Sequence, residues 1–306
     1  MTALGRHPEP DFTVAHLSDT HFLADEARWG GVVDTDSHVQ TVMARLERSD
    51  RPIAAIVITG DLTDLGEPTA YRRLRAIVRP VAERLGAELV WVMGNHDERP
   101  AYAAELYGEH GDGVPSQDRV HDVRGLRIIA LDSTVPGYHH GDVTADQLDW
   151  LRDVLAEPAP FGTLLALHHP PVAAPLELMS LLELRHQDAL ADVVRGTDVR
   201  AILAGHLHHP TFGMFAGIPV SVAASTCATI DLAAPRRELR QIDATRTFSL
   251  VEVRPGGLVH SSVPVDDHDP LSGFGADVLA RIEAMTPEER IEAFSRKRPT
   301  ETETSG

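Results

Sequence analysis

Apolar residues fall in short blocks along the first 210 positions of this chain, and most blocks stop at a polar cluster. Phe12 to Leu17, Ile53 to Thr59, Leu89 to Met93, Arg127 to Leu131, Thr163 to Leu167 and Val199 to Leu203 have the length and composition of strands. Helical spacing separates them. Val39, Val42, Met43 and Leu46 predict a helix from Ser37, after a polar loop from Asp25 to Asp36. Leu74, Ile77, Val78, Val81 and Leu85 predict a second over Tyr71 to Leu85, ended by Gly86 and kinked or interrupted at Pro80. Tyr102 to Pro115 reads as helix then loop, Thr144 with Gln147 as a capping box opening a helix through Leu155, and Leu178 to Val194 as helix. The β, α, β, α, β alternation over the first ninety-odd residues implies crossover units with parallel strands.

Beyond position 210 the pattern changes. Ile218 to Ser225, Thr247 to Val253 and Val259 to Val265 predict sequential strands, the last two joined as a hairpin at Pro255-Gly256-Gly257. Two helices follow, the second with Thr286 as N-cap, Pro287 at the first helical position and Glu289 completing the box. The expected organisation is an α/β domain over residues 1-270, C-terminal helices over 271-297 that pack on it or on a partner subunit, and a disordered tail over 298-306.

Charge and cysteine usage narrow the function classes. Lys+Arg number 28 against 46 Asp+Glu, a net charge of −18, which repels a nucleic-acid polymer or an anionic membrane face. The single cysteine, Cys227, excludes an intramolecular disulfide and a thiolate zinc cluster and reads as a small core residue. Met1 to Pro10 has no apolar signal region and no stretch approaches eighteen apolar residues, so the expectation is a cytoplasmic protein without a membrane span.

Five predicted strands end in residues of metal-ligand type: Asp19 and His21, then Asp61, then Asn95 and His96 in Gly94-Asn95-His96-Asp97, then His168, then His206 and His208. In open α/β sheets the carboxyl ends of strands are where sites assemble. Carboxylate, imidazole and amide oxygen without thiolate suit borderline-to-hard ions such as Mn, Fe, Zn or Co. Seven ligands are too many for one catalytic ion and enough for two sharing a carboxylate, an arrangement that clamps both oxygens of an in-line displacement at phosphorus. Glycines 60, 94 and 205 are expected to supply tight turns. His206-x-His208, read as extended backbone, points both rings to one side, whereas His169 and His209 should point away. His16, inside the first strand, reads as a hydrogen-bonded core residue.

The ordered set Asp19-x-His21, Gly60-Asp61, Gly94-Asn95-His96-Asp97, His168-His169-Pro170 and Gly205-His206-x-His208 resembles the calcineurin-like metallophosphoesterases. Within them the resemblance is to bacterial class III 3′,5′-cyclic nucleotide phosphodiesterases, through Asp61 to Gly66, Pro136 to Gly141 and Arg200 to His208. It implies a four-layer α/β/β/α sandwich of two mixed β-sheets flanked by helices. It implies two divalent or trivalent ions, Fe and Mn foremost, with Zn or Co as alternatives. Asp19, His21, Asp61 and His208 would hold one, and Asp61, Asn95, His168 and His206 the other. His96 and Asp97 would be catalytic, His96 meeting the leaving oxygen and Asp97 orienting it, while Asn95, His96, His208 and His140 would touch substrate. The implied enzyme is a metal-dependent phosphoric diester hydrolase, a dimer, converting 3′,5′-cyclic nucleotides, cAMP above all, to 5′-monophosphates by attack of a metal-bridging hydroxide. A broader diesterase acting on glycerophosphodiesters or 2′,3′-cyclic nucleotides is the alternative, ahead of a non-catalytic binding module.

Overall fold

The computed structural model describes residues 7–111, 114–235, 237–244, 246–266 and 268–297; the tail expected at 298-306 lies outside them. Of these residues, 10–266 belong to one compact unit and 7–9 with 268–297 to another.

In the larger unit, β1 (Phe12–Leu17) and β2 (Ile53–Thr59) are buried at every position, as apolar runs in a sheet covered on both faces must be. The helix between them, α1 (Thr35–Arg48), starts earlier than Ser37 because the Asp34 carboxylate caps it, accepting from the Ser37 amide. Next, α2 (Pro68–Leu85) opens on Pro68, runs through Pro80 without the expected break, and stops at left-handed Gly86. Pro80 faces solvent, where water can satisfy the carbonyl that its missing N–H leaves unpaired. After β3 (Glu88–Val92), α3 (Arg99–Tyr102) continues as a π-helical turn, earlier than the helix expected from Tyr102.

The second half begins with an unexpected strand, β4 (Arg119–Val123), paired antiparallel with β5 (Leu126–Ala130). The Thr144/Gln147 capping box opens α4 (Ala145–Leu155) as the sequence predicts, and β6 (Thr163–Ala166) follows. The single helix expected over Leu178 to Val194 is instead a 3-10 segment (Glu177–Leu182) and α5 (Gln187–Val194). The break arises because Glu183 and Arg185 give their backbone groups to Gly141 and His186 turns left-handed. The remaining strands are β7 (Val199–Ala204), β8 (Thr211–Phe215), β9 (Ile218–Val222), the short β10 (Thr229–Ile230) and β11 (Gln241–Ile242), and the predicted hairpin of β12 (Thr247–Arg254) with β13 (Gly257–Pro264).

Two mixed sheets result, ordered β13-β12-β1-β2-β3 and β4-β5-β6-β7-β9-β8, beside the two-stranded β10-β11 ribbon. Alternation along the strands sorts their side chains into three apolar layers. Val14, Val57 and Val92 of one sheet meet Ile128, Leu164 and Leu203 of the other. On the outer faces, Leu17, Ile56 and Ile58 join α1 and α2 residues such as Val42 and Leu74, and Ile129, Leu165 and Ile202 join Leu151 and Leu190 of α4 and α5. The architecture is therefore the four-layer α/β/β/α sandwich. In the smaller unit, α6 (Ala276–Glu283) precedes α7 (Pro287–Arg290), which carries the predicted Thr286/Glu289 capping box.

Candidate active site

The carboxyl ends of β1, β2 and β3 meet those of β6 and β7, and backbone contacts tie the two sheets together there. The Thr226 amide, beyond β9, donates to the Ser18 carbonyl beyond β1, and the His206 amide, beyond β7, donates to the Asp19 carboxylate at 3.1 Å. Gly94 and Gly205 open tight turns as expected, their carbonyls accepting from the Asp97 and Leu207 amides, and they also allow close approach. A Cβ on Gly94 would lie 2.1 Å from the Asp61 nitrogen, and one on Gly205 would lie 1.9 Å from Ser18 Oγ. The unusual backbone belongs to the polar residues themselves. Asp19, His21, Asp61, His206 and His208 all have φ between 46° and 71°, a left-handed conformation costing about 1–2 kcal/mol per non-glycine residue. His206-x-His208 is accordingly not extended, contrary to expectation.

The side chains converge. His208 Nε2 lies 3.3 Å from Asp19 Oδ1 and 3.1 Å from His21 Nε2, and His21 Nε2 lies 3.7 Å from Asp61 Oδ2. On the other side of Asp61, His168 Nε2 is 3.3 Å from the same Oδ2 and 3.1 Å from Asn95 Oδ1. Asp61 Oδ2 thus stands between two groups of donors. Its partner Oδ1 accepts from the His96 amide at 2.9 Å.

Each imidazole has one nitrogen fixed by an oxygen that can only accept. His21 Nδ1 donates to Asp64 Oδ1 at 2.9 Å, His168 Nδ1 to the Thr59 carbonyl at 2.7 Å, His206 Nε2 to the Leu182 carbonyl at 3.0 Å, and His208 Nδ1 to the Ala228 carbonyl at 3.1 Å. The proton is therefore held on the outer nitrogen, and the lone pair of the other is left for the cluster, the arrangement that metal-ligating histidines adopt. Asp19, His21, Asp61 and His208 place ligand atoms all within 4.8 Å of one another. Lone pairs converging on a buried carboxylate, with thiolates absent, fit a borderline-to-hard cation, and the cluster could hold two. His169 also lies close to His168 and His206, but its Nε2 donates to the His139 carbonyl at 3.2 Å and its Nδ1 accepts from Ser133 Oγ at 2.9 Å. Both nitrogens are used, so His169 is not a ligand.

Electrostatics in the metal-free fold follow the same contacts. Burial works against a charge on His168, but Asp61, with Asp19 and the Thr59 carbonyl, raises its pKa to about 9. His208 is likewise raised, Asp19 outweighing burial. Asp61 is held well below the usual carboxylate range, its burial overcome by His168, His96 and His21. His169 is pushed down to about 3 by burial and by the charge of His168, so it is neutral.

Two expected roles change. Asp97 does not touch His96: its carboxylate accepts from the amides of Leu62, Thr63 and Gly94, from Thr63 Oγ1 and from Tyr71 Oη. Its position after the turn aims it back across the β2 and β3 ends, and it clasps them together. His96 Nδ1 instead donates to the Asp64 carbonyl at 2.9 Å. His140 does not line the central cleft, because the turn at Pro136-Gly137 sends its ring toward Tyr138 and brings His139 round instead. His139 Nδ1 lies 2.9 Å from Asn95 Nδ2, and its ring 5.1 Å from that of His96.

Asp64 is the residue that sequence reasoning overlooked. Its Oδ1 accepts from both His21 Nδ1 and, at 3.0 Å, Trp29 Nε1, while its carbonyl holds His96. The signal was its place three residues after Asp61 in a polar strand-end loop. His16 behaves as expected, its Nε2 meeting Thr59 Oγ1 at 2.9 Å, and Cys227 is buried. The cluster forms one end of a cleft of about 430 Å³ lined by Trp29, His139, Met179, Leu182, Ile230, Leu239 and Gln241 among others.

Fold and cluster together define a metallophosphoesterase, and the chain belongs to the calcineurin-like phosphoesterase family, which it matches over residues 12–210. It is 50% identical over 275 residues, covering 90% of this chain and 86% of the other, to a cAMP/cGMP dual specificity phosphodiesterase of Mycobacterium tuberculosis. It is 32% identical over 231 residues, covering 73% and 81%, to a 3′,5′-cyclic adenosine monophosphate phosphodiesterase of Pseudomonas aeruginosa. The crystal structure of a dimetal phosphatase from Danio rerio superposes with a TM-score of 0.60 at 15% identity, covering 85% of this chain and 98% of that one, a likeness of fold. Among the described residues no helix is long and apolar enough to cross a membrane.

Proposed function

We propose that this protein is a two-metal phosphodiesterase that opens 3′,5′-cyclic nucleotides, cAMP foremost, to 5′-nucleoside monophosphates. The observation that carries the reading is Asp61 Oδ2 standing between His21 Nε2 at 3.7 Å and His168 Nε2 at 3.3 Å. Asp19, His21, Asp61 and His208 would hold one ion and Asp61, Asn95, His168 and His206 the other, with iron and manganese first and zinc or cobalt as alternatives. When bound, such a pair polarises the phosphate and supplies an acidified water.

The chain's own residues do the rest. Asn95 and His96 adjoin the cluster at the mouth of the cleft, where a phosphate would sit. The Asp64 carbonyl keeps a proton on His96 Nδ1, so Nε2 is the atom that exchanges a proton with substrate. As the new P–O bond forms in line, the P–O3′ bond breaks and O3′ takes the Nε2 proton of the cationic His96 ring, which is left neutral with its remaining proton on Nδ1. Leu182, Met179 and Ile230 exclude water from one wall. Names of the relatives support the cyclic-nucleotide assignment, and the −18 charge argues against a polymeric nucleic acid. A homodimer and a cytoplasmic location belong to the same reading, the first supported by exposed Leu279, Ile291 and Phe294 in the 271-297 segment, the second by a single buried thiol.

The test supplies manganese-loaded protein with 3′,5′-cAMP, 2′,3′-cAMP, glycerophosphocholine and bis(4-nitrophenyl) phosphate at one concentration. Fastest turnover of 3′,5′-cAMP, with 5′-AMP as product, is expected. Faster turnover of 2′,3′-cAMP or glycerophosphocholine would replace this reading with the broader diesterase.

A further inference from the structure

One wall of the cleft beside the ligand cluster is built differently from the cluster itself. Met179 and Leu182 come from the 3-10 segment, Ile230 from β10, Gln241 from β11, which returns beside it, and Leu239 from the loop that leads into β11. Ile230 and Gln241 are directly opposed in the antiparallel β10-β11 pair, and opposed residues project from the same face. Both line the cleft, so backbone register and cavity agree on where Gln241 points. Met179 and Ile230 are buried, whereas Gln241 is exposed and its side-chain amide has no hydrogen-bond partner among the described residues. Among the described residues, neither lysine nor arginine lines this cleft.

These features specify the non-phosphate part of a ligand. An apolar wall without a fixed cation suits a flat, uncharged ring and offers nothing to a second phosphate. One free amide beside it presents a donor and an acceptor side by side. A primary amide can turn over, exchanging the two. In one orientation its oxygen accepts from an exocyclic amine while its NH2 donates to a ring nitrogen, the pattern of adenine. In the other its NH2 donates to a carbonyl while its oxygen accepts from a ring N–H, the pattern of guanine.

We propose that the Met179-Leu182-Ile230-Leu239 wall is the purine subsite and that Gln241 reads the base edge, accepting adenine and guanine alike because its amide is free to turn. The inference rests on the cyclic-nucleotide reading above. Gln241 is a specificity-determining residue and has no part in the chemistry at phosphorus.

Two variants test it, each assayed in the metal-loaded protein with cAMP, cGMP and bis(4-nitrophenyl) phosphate, a diester without a base. In Gln241→Leu, the kcat/KM for both nucleotides relative to the base-free diester is expected to fall about 5- to 30-fold, the loss of about 1–2 kcal/mol of hydrogen bonding, and to fall for both alike. Gln241→Glu presents acceptors only, which suits the adjacent N–H and NH2 donors of guanine, so the cGMP:cAMP ratio should rise at least fivefold over that of the unsubstituted protein. Unchanged nucleotide-to-diester ratios in both variants would overturn the inference and leave the cyclic-nucleotide reading standing. Hydrolysis of the base-free diester alone by the unsubstituted protein would overturn that reading and this inference with it.

Discussion

The backbone carbonyl of Asp64 accepts a hydrogen bond from His96 Nδ1 at 2.9 Å, and this bond leaves Nε2 as the ring nitrogen free of it. If Nε2 delivers the proton, replacement of His96 should matter most when the leaving oxygen is basic. In His96→Ala, turnover of cAMP should fall about 10²- to 10⁴-fold, and turnover of bis(4-nitrophenyl) phosphate, whose leaving group needs little protonation, far less. Metal content by atomic emission should be unchanged. Equal losses on the two substrates would remove His96 from the acid role.

The Asp64 side chain serves the cluster separately from its carbonyl. Asp64→Ala removes the acceptor for His21 Nδ1 and Trp29 Nε1 but keeps the carbonyl that holds His96. Loss of such an outer partner typically costs 10- to 100-fold in metal affinity. Chelator competition should show that weakening, and at saturating metal the variant should recover most of its kcat. A kcat that stays low at full occupancy would show that the carboxylate acts on substrate.

Asp97 should behave as a structural residue. Asp97→Ala leaves the amides of Leu62, Thr63 and Gly94 without their acceptor, and each buried unpaired group costs about 1–3 kcal/mol. The melting temperature of the metal-free variant should fall with its activity, and by more than that of metal-free Asp64→Ala, which removes the acceptor of two side-chain donors rather than of three amides and two hydroxyls. Full stability in Asp97→Ala would return Asp97 to an orienting role.

Proton linkage gives a prediction with a definite sign. In the metal-free fold, burial disfavours the charged form of His168, yet Asp61 and Asp19 raise its pKa to about 9, above the ordinary imidazole value of 6.5. The stabilisation is fully present below 6.5 and is lost as pH rises through about 9. Chelator-treated protein should therefore melt progressively lower across that window, while metal-loaded protein, with the same nitrogen engaged, should change little. Metal binding at pH 7 should release protons, detectable as calorimetric heats that vary with buffer ionisation enthalpy.

The parallel strands and their ligand-bearing ends were legible because an apolar run buried on both faces cannot place charge except at its end, as Asp61 after Ile53–Thr59 illustrates. The Thr144/Gln147 box and the hairpin of β12 with β13 were legible as local chemistry. β8 (Thr211–Phe215), an edge strand with Phe212 and Met214 exposed and a glycine between them, has no buried alternation to betray it. The roles of Asp64 and Asp97 could not be separated by position, since both follow a ligand closely. Only the left-handed turns at Asp61 and its neighbours decide which carboxylate faces the rings and which faces the backbone. His139 and His140 differ by one residue across a turn whose path is fixed by the Tyr138 amide donating to the Val135 carbonyl.

Titration of metal-stripped protein with manganese, following conversion of cAMP to 5′-AMP, tests the two-metal phosphodiesterase reading most directly. Activity should rise to its plateau only as the second ion per chain binds, and Asp61→Ala should abolish it. A plateau at one ion per chain, or no 5′-AMP at any loading, would contradict the account.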